Sequence, residues 1–345
     1  MTAPSTPTSA AADAPAGVRS SSRWARRTSS ALEVAARLLR PVLLVNLVAQ
    51  VAIVVTGGVV RLTGSGLGCP AWPECVPGSY TPLVRQAQGW HKDIEFGNRL
   101  LTFVVGAVAV AVVVVVTAWV IRTAAPRRLL AFAVVPILGV VAQAVVGGIT
   151  VLTGLAPAAV AAHFLVSMIL VAASTLLLLA LTQPAPAATA RAEVRWVAGG
   201  VALIAAVVLT LGTVVTGSGP HSGDAERPSR FGFDPRTVSW LHADAVWLFV
   251  GLVLALVVVL RLVDAAPVAR RWARALLVVT LLQGAVGYTQ YLTGLPAALV
   301  AVHMLGACLL AVTVTGAVVA VTGTPWHTLV AQCLPPSPPP TPSTA

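Results

Sequence analysis

Three histidines lie in or at the edge of long apolar segments, where an ionisable side chain is costly and marks a candidate functional site. His163 and His303 lie inside such segments, and His242 lies at the start of another. Two imidazoles on facing helices of a four-helix bundle can bind haem iron. Zinc is the weaker alternative, because no carboxylate or thiolate accompanies them at zinc-ligand spacing. The remaining alternative is that these histidines are hydrogen-bonded core residues with no catalytic or binding function.

An internal repeat strengthens the functional interpretation of two of these histidines. Residues 143–163 read QAVVGGITVLTGLAPAAVAAH, and residues 283–303 read QGAVGYTQYLTGLPAALVAVH. Both segments end in the histidine, so His163 and His303 occupy equivalent places in a duplicated unit. Each repeat also contains a T-G-L sequence typical of a turn.

The elements that carry these residues are long apolar runs. The chain has 345 residues, of which 57% are hydrophobic and 10% charged, with a mean hydropathy of +0.89. A soluble domain has about 25% charged residues, and a membrane-spanning helix needs about 20 apolar residues. The apolar runs are 41–60, 96–120, 129–152, 158–182, 196–216, 238–260, 275–293 and 297–321. We therefore predict an all-α integral membrane protein with eight transmembrane helices, arranged as two pseudo-repeated four-helix bundles.

The basic residues predict the orientation. The formal net charge is +11, and 15 of the 22 Lys and Arg residues fall on the side of the two termini. The positive-inside rule places both termini in the cytoplasm. The long loops 61–95 and 217–237 then face outward, and the site lies toward the outer side of a multi-pass protein of the cell membrane. The basic residues flank apolar runs, so we expect the lipid bilayer as partner and no nucleic acid.

Composition also predicts the domain boundaries. We expect both tails and the linker between the two halves to lie in the cytoplasm, and both tails to be disordered. In chain order the segments are a tail at 1–40, the first half at 41–182, the linker at 183–195, the second half at 196–322 and a second tail at 323–345.

The predicted outer loops carry further candidates. Cys69 and Cys75 are six residues apart on the oxidising side, so a disulfide is expected, either as a structural bridge or as a redox-active pair. Glu95 begins the second span and shares a helix face with Asn98. It is either a functional carboxylate or an interfacial one paired with a nearby base. His221, in the second loop, is expected to be exposed and without a specific role.

Two motifs identify a family. The segment RLTGSGLGCPAWPEC at 61–75, the segment IEFGNR at 94–99 and the intramembrane histidines resemble the haem A synthase family (CtaA/COX15). The resemblance covers about 41–322. It implies an enzyme that oxidises a porphyrin methyl of haem O to the formyl group of haem A for cytochrome oxidase.

The resemblance also implies residue roles. The first half would hold the substrate haem O, with His163 as an iron ligand, and the second half would hold haem b as cofactor. His242 and His303 match the ligands of haem b, and Glu95 matches the catalytic glutamate. Cys69 and Cys75 match a cysteine pair of the first outer loop. Three arginines are candidates for haem propionates, with an interfacial charge as the alternative: Arg61, Arg99 and Arg236.

One position departs from the family pattern. Many members have histidine where this chain has Asn98, so one imidazole ligand of the first half is missing. His91 lies seven residues earlier, which is about 10.5 Å along a helix and too far to replace it. We expect His91 near a propionate or the access route of the substrate. The second loop has no cysteine, and its stretch Gly217–Asp224 is expected to line the cofactor site.

The resemblance further implies partners. These are haem O synthase as haem donor, cytochrome oxidase assembly factors and an outer thiol–disulfide partner. The main alternative function is a non-enzymatic membrane cytochrome b or haem carrier, which explains the histidines but gives Glu95 and the cysteines no role. A transporter ranks third, because no span is clearly broken at its middle.

Overall fold

The computed structural model describes residues 16–183, 190–224 and 226–323. Within these residues it forms eight α-helices and no β-strand longer than an isolated bridge. The helices are α1 (Ala16–Leu62), α2 (His91–Thr123), α3 (Leu129–Leu152), α4 (Pro157–Thr182), α5 (Ala192–Ser218), α6 (Pro235–Leu262), α7 (Pro267–Leu292) and α8 (Ala297–Thr322). Each contains an apolar segment long enough to cross a membrane. The predicted all-α membrane protein with eight spans is confirmed.

The first helix begins well before its apolar run. Residues 1–40 were expected to be disordered, but α1 begins at Ala16, which corrects the later part of that prediction. Alanine, leucine and arginine are strong helix formers and are frequent between residues 24 and 40, so a polar sequence extends the helix at little cost. The predicted tails and linker lie partly outside the described residues, at 1–15, 184–189 and 324–345.

Three other helix starts follow a local rule. α4, α6 and α7 begin with proline at the first helical position, where its missing N–H costs nothing. Asp234 caps α6 by accepting hydrogen bonds from Thr237 Oγ1 at 2.7 Å and Thr237 N at 2.8 Å, which hold the pKa of this exposed carboxyl below its usual value. α5 begins at Ala192, inside the predicted linker 183–195.

The helices form two rings. In the first ring α1 packs on α2 and α4, and α3 packs on the same two helices. The second ring repeats this order with α5, α6, α7 and α8. α2 therefore lies diagonally across from α4, and α6 across from α8. This arrangement is consistent with the duplicated unit that the sequence predicts.

The two rings meet through three helix pairs: α4 with α8, α1 with α8 and α4 with α5. A small apolar cluster that includes Val54, Met168 and Cys308 lies at this contact. Gly58 of α1 packs directly against the Met304 side chain of α8. Small residues let membrane helices approach closely, and close packing is the main attraction between helices in lipid.

The T-G-L sequences form the same turn in both halves. Gly154 and Leu155 have φ values of 60° and 59°, and Gly294 and Leu295 have values of 78° and 61°. Leucine rarely adopts a positive φ, so its presence at both turns is a shared conformational signature. These turns place the first residues of α4 and α8 at matching positions.

Candidate functional site

Four polar side chains lie at a similar depth below the loop end, by which we mean the end of the helices that is joined by residues 63–90 and 219–234. His163 and His303 each lie six residues after the start of their helices, α4 and α8. Asn98 and His242 each lie seven residues after the start of α2 and α6. At 1.5 Å per residue, all four are roughly 9 to 10.5 Å below the loop end.

Two of the imidazoles lie against a glycine of the preceding helix. A Cβ atom added at Gly147 of α3 would lie 3.2 Å from His163 Cε1. A Cβ atom added at Gly287 of α7 would lie 3.5 Å from His303 Cε1. Both rings therefore contact bare backbone, and a larger side chain at either glycine would displace the ring.

His242 and Asn98, which lie diagonally across from these histidines, are also close to a glycine of a neighbouring helix. A Cβ atom at Gly212 of α5 would lie 3.4 Å from His242 Cε1, and the Val208 carbonyl of α5 lies near this ring. In the first half, a Cβ atom at Gly57 of α1 would lie 4.0 Å from Asn98 Nδ2. Asn98 thus takes the place in the first ring that His242 takes in the second.

A glutamine fixes the backbone of each repeated histidine. Gln143 Nε2 donates to the His163 carbonyl at 3.1 Å, and Gln283 Nε2 donates to the His303 carbonyl at 2.9 Å. Gln143 Nε2 also donates to Ser167 Oγ. Hydrogen bonds between helices hold α3 to α4 and α7 to α8 at this level. Both glutamines begin the sequence repeat, but the repeat alone did not indicate this contact.

The histidines are suited to haem iron. No hydrogen bond of ordinary geometry reaches the buried Nδ1 atoms of His163, His242 and His303 within the described parts of the chain. Each of the three histidine residues is half-buried, so part of each remains accessible. Buried polar atoms without partners are uncommon, and two imidazoles on the diagonal helices α6 and α8 fit a haem between these helices.

The residues that the structure covers contain no set of ligands for zinc. No group of three or more His, Cys, Asp or Glu side chains there could hold a metal ion. A zinc site needs at least three protein ligands, whereas haem iron needs one or two.

Glu95 is buried and fully engaged near the loop end. Its Oε1 atom accepts from Arg99 Nε at 3.1 Å and from Arg99 Nη2 at 2.7 Å, and its Oε2 atom accepts from the Cys69 backbone N–H. Glu95 and Arg99 are one helical turn apart on α2. The carboxylate therefore joins α2 to the first loop, which fits the interfacial alternative and also fixes the carboxylate in one orientation.

Arg99 holds the same loop through its other donors. It donates to the backbone carbonyls of Cys69 at 2.9 Å, Ala71 at 3.0 Å and Glu74 at 3.1 Å. The loop is closed by a disulfide between Cys69 and Cys75, both of which are completely buried. The predicted disulfide is confirmed.

Comparisons with known proteins show the family to which the chain belongs. The sequence profile of the family described as "COX15-CtaA: Cytochrome oxidase assembly protein" matches residues 40–315. The chain belongs to the COX15-CtaA family. It is 36% identical over 138 residues, 38% of its length, to a protein named "Heme A synthase" from Lysinibacillus sphaericus (strain C3-41). It is 33% identical over 141 residues, 40% of its length, to one of the same name from Geobacillus thermodenitrificans. The chain covers 40% and 42% of the length of these two relatives.

In this COX15-CtaA chain, all three propionate candidates contact other groups of the protein. The donors of Arg99 contact Glu95 and the first loop. Arg236 is exposed, and its guanidinium lies 4.7 Å from the centre of the Trp240 ring. At 100° per residue, Trp240 is turned about 160° from His242 around α6, so this guanidinium lies away from the ligand face.

Arg61 joins the two halves of the COX15-CtaA fold. It donates to the His221 carbonyl at 2.5 Å and to the Thr216 carbonyl at 2.9 Å. Beside it, the Gly66 N–H donates to the Gly223 carbonyl at 2.9 Å. The two long loops are thus hydrogen-bonded to each other, and the predicted cofactor-lining stretch Gly217–Asp224 contacts the first loop.

His91 and His221 both have defined partners in the loops. His91 Nδ1 is 2.8 Å from Ser65 Oγ, and its ring stacks on Trp90 with 4.0 Å between centroids. It lies seven residues from Asn98, at the start of α2, and does not replace it. His221 is half-buried, and its Nε2 lies 2.9 Å from the Leu295 carbonyl, so its expected exposure was wrong. This contact joins the second loop to the T-G-L turn of the second half.

The two halves differ where α3 and α7 face the loop end. Trp72 of the first loop packs directly against Gly148 of α3, next to the glycine that supports His163. The repeat places Tyr288 of α7 at the corresponding position. There, Trp247 Nε1 of α6 donates to Tyr288 Oη at 3.1 Å. A loop residue covers α3 at this point, whereas the hydrogen-bonded Trp247 and Tyr288 side chains of the second bundle are both more than half exposed.

Proposed function

We propose that this chain is a haem A synthase that oxidises a methyl group of haem O to the formyl group of haem A. The observation that carries the proposal is that, of two equivalent imidazole sites, only the one in the first bundle shares its bundle with a buried carboxylate among the described residues. His163 and His303 are matched in depth, glycine support and glutamine contact. The buried carboxylate is Glu95 of the first bundle. A duplicated electron-transfer protein needs two haems but no such difference between them.

His242 and His303 would hold haem b as the cofactor of the second bundle. Their helices, α6 and α8, lie diagonally, and each ring is supported by a glycine. When bound, haem b supplies an iron that takes up and passes on single electrons. The protein supplies two imidazoles of fixed orientation and apolar walls that exclude water.

His163 would hold the substrate in the first bundle, with Glu95 as the neighbouring acid–base group. Glu95 lies three residues from Asn98 on α2, which is about 4.5 Å closer to the loop end. With water as the source of the formyl oxygen, conversion of CH3 to CHO releases four protons and four electrons. A carboxylate at this place can accept the protons and pass them to the loop end, and the electrons leave to an external electron acceptor. The contacts with Arg99 and the Cys69 amide fix its direction.

The disulfide is best supported as a structural bridge. Both cysteines are completely buried, and the loop between them supplies the carbonyls that Arg99 contacts. Direct exchange with an outer thiol–disulfide partner therefore requires the loop to open first. Such exchange is the second role that we assign to this pair.

We further propose the cell membrane as location, with the loop end outside and both termini in the cytoplasm. Two observations support this orientation: the excess of basic residues at the other end and a disulfide at the loop end, which persists in oxidising compartments. The family description as a cytochrome oxidase assembly protein supports oxidase assembly factors as partners, and the proposed substrate would make haem O synthase the donor.

The decisive experiment is pigment extraction from cells that express the full chain together with a haem O source. We expect haem A from the wild type, and haem b but no haem A from Glu95→Ala. Glu95→Gln keeps the shape and the Cys69 contact but removes the charge, so it separates acid–base chemistry from loop anchoring. A folded, haem-loaded wild type that forms no haem A would favour the cytochrome b alternative. Full activity of Glu95→Gln would remove this carboxylate from the chemistry.

A further inference from the structure

The two bundles offer different side chains at one equivalent position. Asn98 and His242 lie at the same depth, on the second helix of their rings, and each faces a glycine of the first helix. Both lie diagonally across from the repeated histidine, which is His163 in one ring and His303 in the other. The Oδ1 atom of Asn98 is buried and has no hydrogen-bond partner within the described residues.

An amide does not replace an imidazole as an iron ligand. The side chains that bind haem iron in proteins are histidine, cysteine, methionine and tyrosine. Nearby candidates of these types have other positions: His91 is seven residues away and contacts Ser65, and the Met304 thioether packs on Gly58 at the contact between the rings. The first bundle therefore offers the iron His163 from one side and, within the described residues, no ligand from the other.

We propose that the first bundle holds its haem through His163 alone and leaves the opposite iron position open toward Asn98, whereas the second bundle binds its haem through two imidazoles. This inference rests on the proposed function, in which the first bundle holds the substrate haem. One iron is then five-coordinate and can take an external ligand, and the other is six-coordinate and cannot.

Asn98 has a role in this arrangement that differs from ligation. Its Nδ2 group is a hydrogen-bond donor beside Gly57, in the bundle region that the open iron position faces. A small molecule on that position would accept a hydrogen bond from the amide. A single protein ligand also makes the haem easier to release, which suits a substrate that must leave as product.

The test uses carbon monoxide on the full-length, reduced protein loaded with haem in both bundles. We expect half of the haem to bind carbon monoxide and to be high-spin before it is added. Asn98→His should abolish this binding and convert the high-spin signal to a low-spin one. The reciprocal change, His242→Asn, should create a second carbon monoxide site.

Two further variants control the assignment. His163→Ala should remove the haem that binds carbon monoxide and spare the low-spin haem. Asn98→Leu should keep carbon monoxide binding but shift the C–O stretching frequency, because the amide donor is lost. A wild type that binds no carbon monoxide, or that binds it equally at both haems, would overturn the inference. Haem A formation is measured separately, so a chain that makes no haem A but shows the half-site pattern refutes only the proposed function.

Discussion

Replacement of Arg99 by methionine should release the disulfide loop from α2. Arg99 contacts Glu95 and three loop carbonyls together. Methionine has a similar length and apolar stem but no donor. In the variant, Glu95 remains buried with only the Cys69 amide as partner among the contacts described above. The loop should therefore open more often, while the helices keep their packing.

The magnitude follows from the contacts that are lost. A hydrogen bond to a charged group contributes about 1.5 to 3 kcal/mol, and breaking one side of a buried ion pair costs about 3 to 5 kcal/mol. The Arg99 side chain is 22% exposed, so solvent screens part of this and the lower value applies. A loss of about 3 kcal/mol corresponds to roughly a hundredfold larger population of the open loop.

The assay is the rate at which a membrane-impermeant phosphine reduces the disulfide in native membranes. Both cysteines are completely buried, so reduction needs an open loop and its rate follows the open population. Arg99→Lys keeps the charge but not the planar fork, and its rate should fall between those of wild type and Arg99→Met. Arg122→Met, at the opposite end of α2, is the matched control and should reduce at the wild-type rate.

Equal reduction rates in wild type and Arg99→Met would refute the reasoning. That result would mean that contacts within the loops, such as the bond between Gly66 and Gly223, hold the disulfide in place without Arg99. A fast rate in both Arg99→Met and Arg122→Met would show a general loss of stability instead, which a thermal unfolding measurement would detect.

Two further predictions concern the haem sites. His303→Ala should abolish the stable haem b signal in a reduced-minus-oxidised spectrum, while His163→Ala should spare that signal and abolish haem A formation; the reverse pattern would exchange the roles of the two bundles. Gly212→Leu should also lower haem b content, because the new side chain would occupy the space of the His242 ring, which lies 3.4 Å from the position of an added Cβ. Gly200→Leu on the same helix is its control, since nothing lies within 4 Å of an added Cβ there; equal haem content in both variants would contradict the role of Gly212.

Hydropathy and the repeat were sufficient to predict the spans and two of the intramembrane positions. A membrane admits few backbone solutions, so a long apolar run predicts a helix with little ambiguity. The repeat placed His163 and His303 at equivalent positions, and the structure shows that they share depth and neighbours. Boundaries were less predictable where helices extend past the apolar run, as α1 and α7 do.

The roles of the arginines were not predictable from residue type. A guanidinium pairs equally well with a propionate, a carboxylate or several backbone carbonyls. Every residue has a backbone carbonyl, so the sequence does not indicate which carbonyls an arginine contacts. Arg99 contacts a loop whose conformation the sequence does not specify. The contact between His221 and Leu295 joins residues 74 apart, and it depends on how the second loop folds back.

The cover over α3 at Gly148 has a kinetic consequence. To uncover Gly148, the loop that carries Trp72 has to move, and Arg99 holds this loop through three backbone carbonyls. At the equivalent place on α7, Tyr288 is 52% exposed and no loop among the described residues covers it. We therefore expect a molecule held in the first bundle to have a shorter residence time in Arg99→Met than in wild type, and a molecule held in the second bundle to have the same residence time in both.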